Sequence, residues 1–276
     1  MRADLALVAS GHARSRTHAR RIIEEGRARL GGVALTKPSA PVEDLTQLDV
    51  ADVPDGVEYA SRAAHKLDGA LTLLDVDPRG LRCLDAGAST GGFTDVLLRR
   101  GAARVVAVDI GHDQLAAHLA DDPRVRVRDG TSIRGLALAD VDGAADLTVA
   151  DLSFISLTTV IEDLARVTSG DGHLLLMVKP QFEVGRSRLG RGGIVRDPAL
   201  QADAVKAVVS AADAAGLRLH GAGESSLPGE HGNREFFVLL GARDPHRGPA
   251  SAAAGAGCGM IDRIVDGRTR GGRLPE

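Results

Sequence analysis

The sequence predicts a doubly wound α/β domain, a mostly parallel sheet covered by helices on both faces, preceded by a small cationic α+β module. Three observations carry this. Apolar runs of strand length begin at Leu81 (L-R-C-L-D-A-G), Ala103 (A-R-V-V-A-V-D-I), Arg124 (R-V-R-V-R-D), Asp146 (D-L-T-V-A-D-L), His173 (H-L-L-L-M-V-K) and Glu235 (E-F-F-V-L-L). They are separated by stretches long enough for helices, the pattern of a parallel sheet buried on both sides. A glycine-rich turn follows the first run. Finally, the first 42 residues carry eight basic and three acidic side chains, a local charge of +5, in a chain of 276 residues whose net charge is −3.

Composition narrows the class. Hydrophobic residues make up 43% and charged residues 26%, enough to bury a core and too apolar for a disordered chain. The two cysteines, Cys83 and Cys258, make no disulfide framework and sit near no metal-ligand spacing, so no metal is expected and a reducing, cytoplasmic setting is. The apolar patch Leu5 to Ala9 is too short for a signal segment, and no stretch approaches the length of a membrane span. Of the 34 basic residues only Lys37, Lys66, Lys179 and Lys206 are lysine. Where arginine serves as the generic cation, a lysine is a chemically chosen residue, because a compact ammonium can be tuned.

In the N-terminal module, S-R-T-H-A-R-R-I-I-E-E-G reads as a helix with Ser15 as cap, Ala19, Ile22 and Ile23 at helical spacing and Gly26 as stop. Arg16, Arg20 and Arg27 fall roughly on one face, with Arg14 just before. Two short strands around Gly31-Gly32 follow. A cationic module of this kind most often meets phosphates. This order of elements resembles the RNA-binding module named after ribosomal protein S-four, over about the first 50 residues. Residues 43–60 are acidic and carry Pro54 and Gly56, as a linker would. The expected division is a module over 1–50, a linker over 51–60, the α/β domain over 61–243 and a low-complexity, mobile tail over 244–276.

The turn L-D-A-G-A-S-T-G-G-F-T-D puts Asp85 at the end of the first strand and Gly87, Ser89, Gly91 and Gly92 between strand and helix. Glycines admit a ligand close to the backbone, and the next helix offers free N–H groups. Asp109 ends the second strand, where a carboxylate can hold both ribose hydroxyls, so an adenosine moiety is expected. Asp85 would repel a pyrophosphate and suits a cationic cofactor such as S-adenosylmethionine. Asp129, closing the third strand, either bonds the adenine amine or caps a helix.

Asp151, Lys179 and Glu235 adjoin apolar runs and Lys66 opens the first helix of the domain. The segment from Gly185 to Arg196 holds Arg186, Arg188, Arg191 and Arg196, three glycines and no acid, as a loop guiding an RNA backbone would. Phe154 and Phe182 fit sheet packing as well as base stacking.

The segments S-R-A-A-H-K-L, L-D-A-G-A-S-T-G-G-F-T, A-D-L-S-F-I-S-L, V-K-P-Q-F-E, G-G-I-V-R-D and G-N-R-E-F-F resemble the TlyA (haemolysin-A-like) family of ribosomal RNA 2′-O-methyltransferases, which fuse an S-four-type domain to an FtsJ-like domain. The resemblance covers nearly everything up to about Arg243. It implies a Rossmann-like class I S-adenosylmethionine-dependent methyltransferase with a seven-stranded sheet, acting on ribosomal RNA or ribosomal subunits, with cytidine as the target. It places Lys66, Asp151, Lys179 and Glu235 at the Lys-Asp-Lys-Glu catalytic tetrad. Two neighbouring carboxylates should favour the charged form of Lys179, which suggests that this lysine first orients the hydroxyl, held by Asp151 and Glu235. The competing readings are a non-catalytic RNA-binding assembly factor that retains the fold, a dinucleotide-dependent oxidoreductase and a membrane-lytic protein; oligomeric state is left open.

Overall fold

A computed structural model describes residues 1–13, 15–24, 26–51, 58–185, 188–229, 232–242 and 251–274. The chain forms two compact units, Met1–Glu58 and Tyr59–Glu276.

The first unit contains α1 (Ala3–Ala9), α2 (Arg16–Glu24), β1 (Ala28–Leu30), β2 (Val33–Ala34) and β3 (Leu48–Val50). Ser15 caps α2 through its Oγ, which accepts the His18 N–H at 3.1 Å. The β1–β2 hairpin turns on Gly31 and Gly32, both at positive φ, as a two-residue turn between twisted strands requires. Ala3, Leu7, Ala19, Ile22, Ile23, Ala28 and Leu48 close a small core. The linker expected from residue 43 is corrected here. Asp44 caps a 3-10 turn at Leu45–Gln47, and β3 joins β1 antiparallel to make a three-stranded sheet. The acidic composition of this stretch hid a strand of three residues in which only Leu48 is buried. Residues 52–57 of the expected linker lie outside the described residues.

The second unit is built on an eight-stranded sheet. Its strands are β4 (Arg82–Ala86), β5 (Arg104–Val108), β6 (Val125–Arg128), β7 (Ala145–Ala150), β8 (Thr168–Val178), β9 (Leu217–Glu224), β10 (Phe236–Ala242) and β11 (Gly271–Arg273), in the order β11-β9-β10-β8-β7-β4-β5-β6. The run from β8 through β6 is parallel, while β10 lies antiparallel between β8 and β9. Strand order reverses at β4, and such a switch point opens a crevice beyond the carboxyl ends of the strands. Alternate residues of each central strand enter different cores. Leu84, Val106, Leu174 and Leu176 face α6 (Ile161–Arg166), α8 (Pro198–Ala214) and α9 (Ser251–Val265), whereas Cys83, Val105, Leu147 and Leu175 face α3 (Ala63–Leu73) and α4 (Gly92–Arg99). This is why the strands are apolar without alternation. Strand β9 has no such run, because L-R-L-H-G-A-G-E mixes polar residues and glycine.

The mobile tail is a further correction. Within it α9 buries Met260, Ile261, Ile264 and Val265, and β11 adds an eighth strand by pairing with Gly221–Gly223 of β9. Arg234 donates to the carbonyls of Ile264 (3.3 Å) and Val265 (2.7 Å) at the end of α9, satisfying groups that a helix terminus leaves without partners. Small residues gave the segment its low complexity, but M-I-D-R-I-V supplies an apolar stripe that needs a covering surface. Residues 243–250 lie outside the described ones. Among the described residues no helix is long and apolar enough to cross a membrane.

Ile264→Ala should lower the unfolding free energy by about 2–5 kcal/mol, the range for truncating a buried aliphatic side chain. Urea denaturation measures it, and an unchanged midpoint would contradict the packing of α9.

Candidate active site

Asp85, in β4, is fully buried. One carboxylate oxygen accepts the Thr94 hydroxyl of α4 at 2.7 Å, and among the described residues the other, Oδ1, has no hydrogen-bond partner. Burial pushes its pKa up to about 7, opposed by the Thr94 hydrogen bond and reinforced by the Asp151 and Asp109 carboxylates. At Gly87, φ is +83° and a Cβ would stand 3.0 Å from both the Asp151 carbonyl oxygen and Leu152 Cδ2, so the turn lies against the end of β7 with no room for a side chain. Gly92 opens α4 beside Ser61 and Ala64, at the start of α3. Asp109 accepts the backbone N–H of Ser89 at 2.8 Å and of Gly111 at 2.7 Å, which ties the turn after β4 to the loop after β5. Asp129 Oδ2 accepts the Asp113 N–H at 2.9 Å, so it braces that same loop.

The four residues singled out in the sequence form two ion pairs. Lys179, immediately after β8, lies 2.6 Å from Asp151 Oδ1, immediately after the parallel neighbour β7, and donates to Ser153 Oγ at 2.9 Å. Lys66 of α3 donates to Glu235 Oε2 at 2.6 Å, just before β10. Gln181, two residues after Lys179, donates from Nε2 to Glu235 Oε1 at 3.4 Å. Lys66, Lys179 and Glu235 are each less than a tenth exposed. The expectation that Glu235 shares in holding Lys179 is corrected: a carboxylate buried this deeply needs a cation of its own, and α3 supplies Lys66. Ser153 and Gln181 were missed in the sequence, although A-D-L-S-F and V-K-P-Q-F-E display them two residues after Asp151 and Lys179.

Phe154 is 92% exposed with φ +63°, and its ring lies 5.3 Å from that of Phe182, which in turn is 5.9 Å from Lys179 Nζ. Sheet packing therefore does not account for Phe154.

The arginines divide. Arg2, Arg16 and Arg20 converge on the buried Asp4 at 3.0, 3.2 and 3.7 Å, and the Arg2 hydrogen bond above all holds that carboxyl well below the usual range. Arg16 and Arg20 stay about half exposed. Arg27 is mostly covered, donating to the Ala51 carbonyl at 2.9 Å and lying 3.8 Å from Glu58, so it does not join that face. In the second unit Arg188 donates to the Val184 carbonyl at 2.8 Å and Arg196 is exposed. Buried Asn233 holds the end of their loop, accepting the Val195 N–H at 2.9 Å and donating to the Gly193 carbonyl at 3.1 Å. Arg14, Arg186 and the Arg191 side chain lie outside the described residues. Among the described residues no group of acidic, histidine or cysteine side chains could hold a metal.

A glycine turn between a buried acid and a second-strand carboxylate, at the switch point of this sheet order, is the arrangement of a methyltransferase of Rossmann-like fold. Residues 59–242 match the FtsJ-like methyltransferase family and residues 1–44 match the S4 domain. The 16S/23S rRNA (cytidine-2′-O)-methyltransferase TlyA of Mycobacterium tuberculosis is 49% identical over 239 residues, 87% of this chain and 89% of that protein. Hemolysin A of Brachyspira hyodysenteriae is 33% identical over 86% of this chain and 98% of its own length. A solved structure, a candidate hemolysin from Streptococcus thermophilus, superposes with a TM-score of 0.73 at 31% identity, covering 97% of this chain and 94% of that one. The chain belongs to the FtsJ-like methyltransferase family, in the branch that carries an N-terminal S4 domain.

The Asp85 titration has a sign that can be measured. A free aspartate titrates near about 4. Because folding raises this pKa to about 7, the folded state binds the extra proton between the two values, and stability from this group falls as pH rises through that window. Asp85→Asn should therefore gain stability over the wild type progressively from about pH 4 to 7 and hold the gain above it. Thermal melts across pH test this; a difference independent of pH would show that Asp85 is already ionised when buried.

Proposed function

We propose that this methyltransferase transfers the methyl group of S-adenosylmethionine to the ribose 2′-hydroxyl of a cytidine in ribosomal RNA of the small subunit, the large subunit or both, acting in the cytoplasm. The observation that carries the reading is the pair of buried lysine–carboxylate contacts, of which Lys179–Asp151 adjoins the glycine turn at Gly87. When bound, the cofactor supplies an electrophilic methyl on a cationic sulfur.

The residues present fit such a group. Asp85 Oδ1, buried and without a hydrogen-bond partner among the described residues, offers an acceptor to a cationic ligand with N–H donors. Asp109 offers its carboxylate to ribose hydroxyls, Gly87, Gly91 and Gly92 let the turn pack against Asp151, Leu115, Leu119 and Ser61, and Asp129 braces the loop after β5.

An ammonium has three donors. Ser153 takes one from Lys179, and Asp151 lies 2.6 Å away as its counter-ion, which leaves a donor for the attacking 2′-oxygen. Lys179 thus orients the nucleophile, and orientation alone supplies a large part of such a rate. The hydroxyl proton leaves late, once methyl transfer has made that oxygen acidic. Glu235 holds Lys66, whose remaining donors face ribose or phosphate. Phe154 and Phe182 offer a stacking face for a base next to Lys179. Arg16 and Arg20 of the first unit and Arg188 and Arg196 of the second supply sequence-independent affinity for the RNA backbone, with Arg14, Arg186 and Arg191 contributing by charge.

Incubating labelled S-adenosylmethionine with naked rRNA, each ribosomal subunit and whole ribosomes should place the label on a cytidine 2′-oxygen. Lys179→Met should reduce turnover to about a hundredth or less with cofactor affinity nearly unchanged, since positioned polar catalysis contributes factors of about 100–10,000. Turnover above that level would remove Lys179 from its role. Phe154→Ala should weaken kcat/KM for RNA by roughly tenfold, consistent with about 1–3 kcal/mol per stacked base. A change confined to the KM for the cofactor would remove Phe154 from the RNA site.

A further inference from the structure

Beyond the tetrad, one carboxylate joins the two strand ends that carry it. Glu183 closes the single turn α7 (Pro180–Glu183), four residues after Lys179. It is partly buried, and its partners are neutral donors on the loop that follows β7. Its Oε1 accepts the Leu157 N–H at 2.8 Å, its Oε2 accepts the Ser156 hydroxyl, and the Thr158 backbone N–H also bonds to it. Ser156 caps the 3-10 turn Leu157–Thr159 that begins there.

Two anchors consequently hold the loop from Asp151 to Ser156. At its start, Lys179 binds Asp151 and Ser153; at its end, Glu183 binds Ser156 and Leu157. Between them stands Phe154, with its ring in solvent and its backbone in the left-handed region. A large side chain leaves that region unless its surroundings hold it there. Burial pushes the Glu183 carboxyl above its usual range, so the group opposes a desolvation cost in order to make these contacts.

We propose that Glu183 is a positioning residue of the methyl-transfer site: by fastening Ser156 and Leu157 to α7, it presents Phe154 to the target base and keeps Ser153 against the Lys179 ammonium. Glu183 touches neither RNA nor cofactor. It acts through Phe154 and Ser153, and its effect on RNA rests on the proposed rRNA 2′-O-methyltransferase reading.

The chain contains no tryptophan, so Phe154→Trp places a single indole on the loop. In the full chain we expect this indole, exposed but carried on a loop anchored at both ends, to show slow anisotropy decay. Adding Glu183→Ala should shorten the anisotropy decay at least twofold. In the protein with Phe154 intact, Glu183→Ala should lower kcat/KM for rRNA about tenfold or more, while the dissociation constant for S-adenosylmethionine stays within a factor of two. Glu183→Gln, which keeps one oxygen for the Leu157 N–H, should recover part of both effects and serves as the test if the alanine variant fails to fold. Unchanged anisotropy decay in a folded Glu183 variant would overturn the proposal, as would equal loss of cofactor and RNA binding. The fluorescence reads Glu183 without any substrate, so a chain that methylates no rRNA would defeat the functional reading and leave this result standing.

Discussion

Buried charge is the constraint on which the site depends. Lys66, Lys179 and Glu235 are almost wholly removed from water, and an ion so placed is tolerable only with a partner of opposite sign at contact distance. The consequence is geometric. To keep Lys179 paired, the ends of β7 and β8 must stay in register; to keep Glu235 paired, α3 must remain against the start of β10. Removing one member of such a pair costs about 3–5 kcal/mol, because it strands the other. The lysines are therefore held in one orientation before any ligand arrives, which suits a reaction whose rate comes mainly from alignment.

The sheet makes this possible by acting as a rigid mount. Central strands apolar on both faces lock between two cores, and Asp109, Asp151 and Lys179 each lie just beyond the end of a strand. Groups on such ends move less than groups on free loops. Asp85 and Asp109 follow the same logic at the switch point: one is buried with an oxygen to spare, the other is fastened to two backbone N–H groups. The loop from Asp151 to Ser156 carries an exposed aromatic, Phe154, and is tied down at both ends.

How much of this could be read from the chain depended on how local each signal was. The six apolar runs all became strands, and the Ser15 cap and the Gly31-Gly32 hairpin formed as expected, because each signal lies within a few residues of the structure it specifies. Strands β3, β9 and β11 were not legible, being short or glycine-rich and stabilised by partners distant in sequence. Helix α9 hid behind glycine and alanine; its reason to form is the sheet face it covers, not its composition. Partner choice was likewise opaque. Four charged residues could be picked out, but which carboxylate served which lysine could not, nor that Ser153 completes the Lys179 contacts.

The amino-acid sequence by itself determined the class of fold, the glycine turn with its flanking acids and the cationic character of the N-terminal unit, since periodicity, turn chemistry and residue type are properties of short segments; Lys66, Asp151, Lys179 and Glu235 stood out through the family resemblance. Only the tertiary structure decided the pairing of Lys66 with Glu235 and of Lys179 with Asp151, the exposure of Phe154, the covering of Arg27 and the incorporation of the C-terminal segment. Those outcomes depend on which surfaces meet and which charges lose their water, and burial is a property of the folded whole.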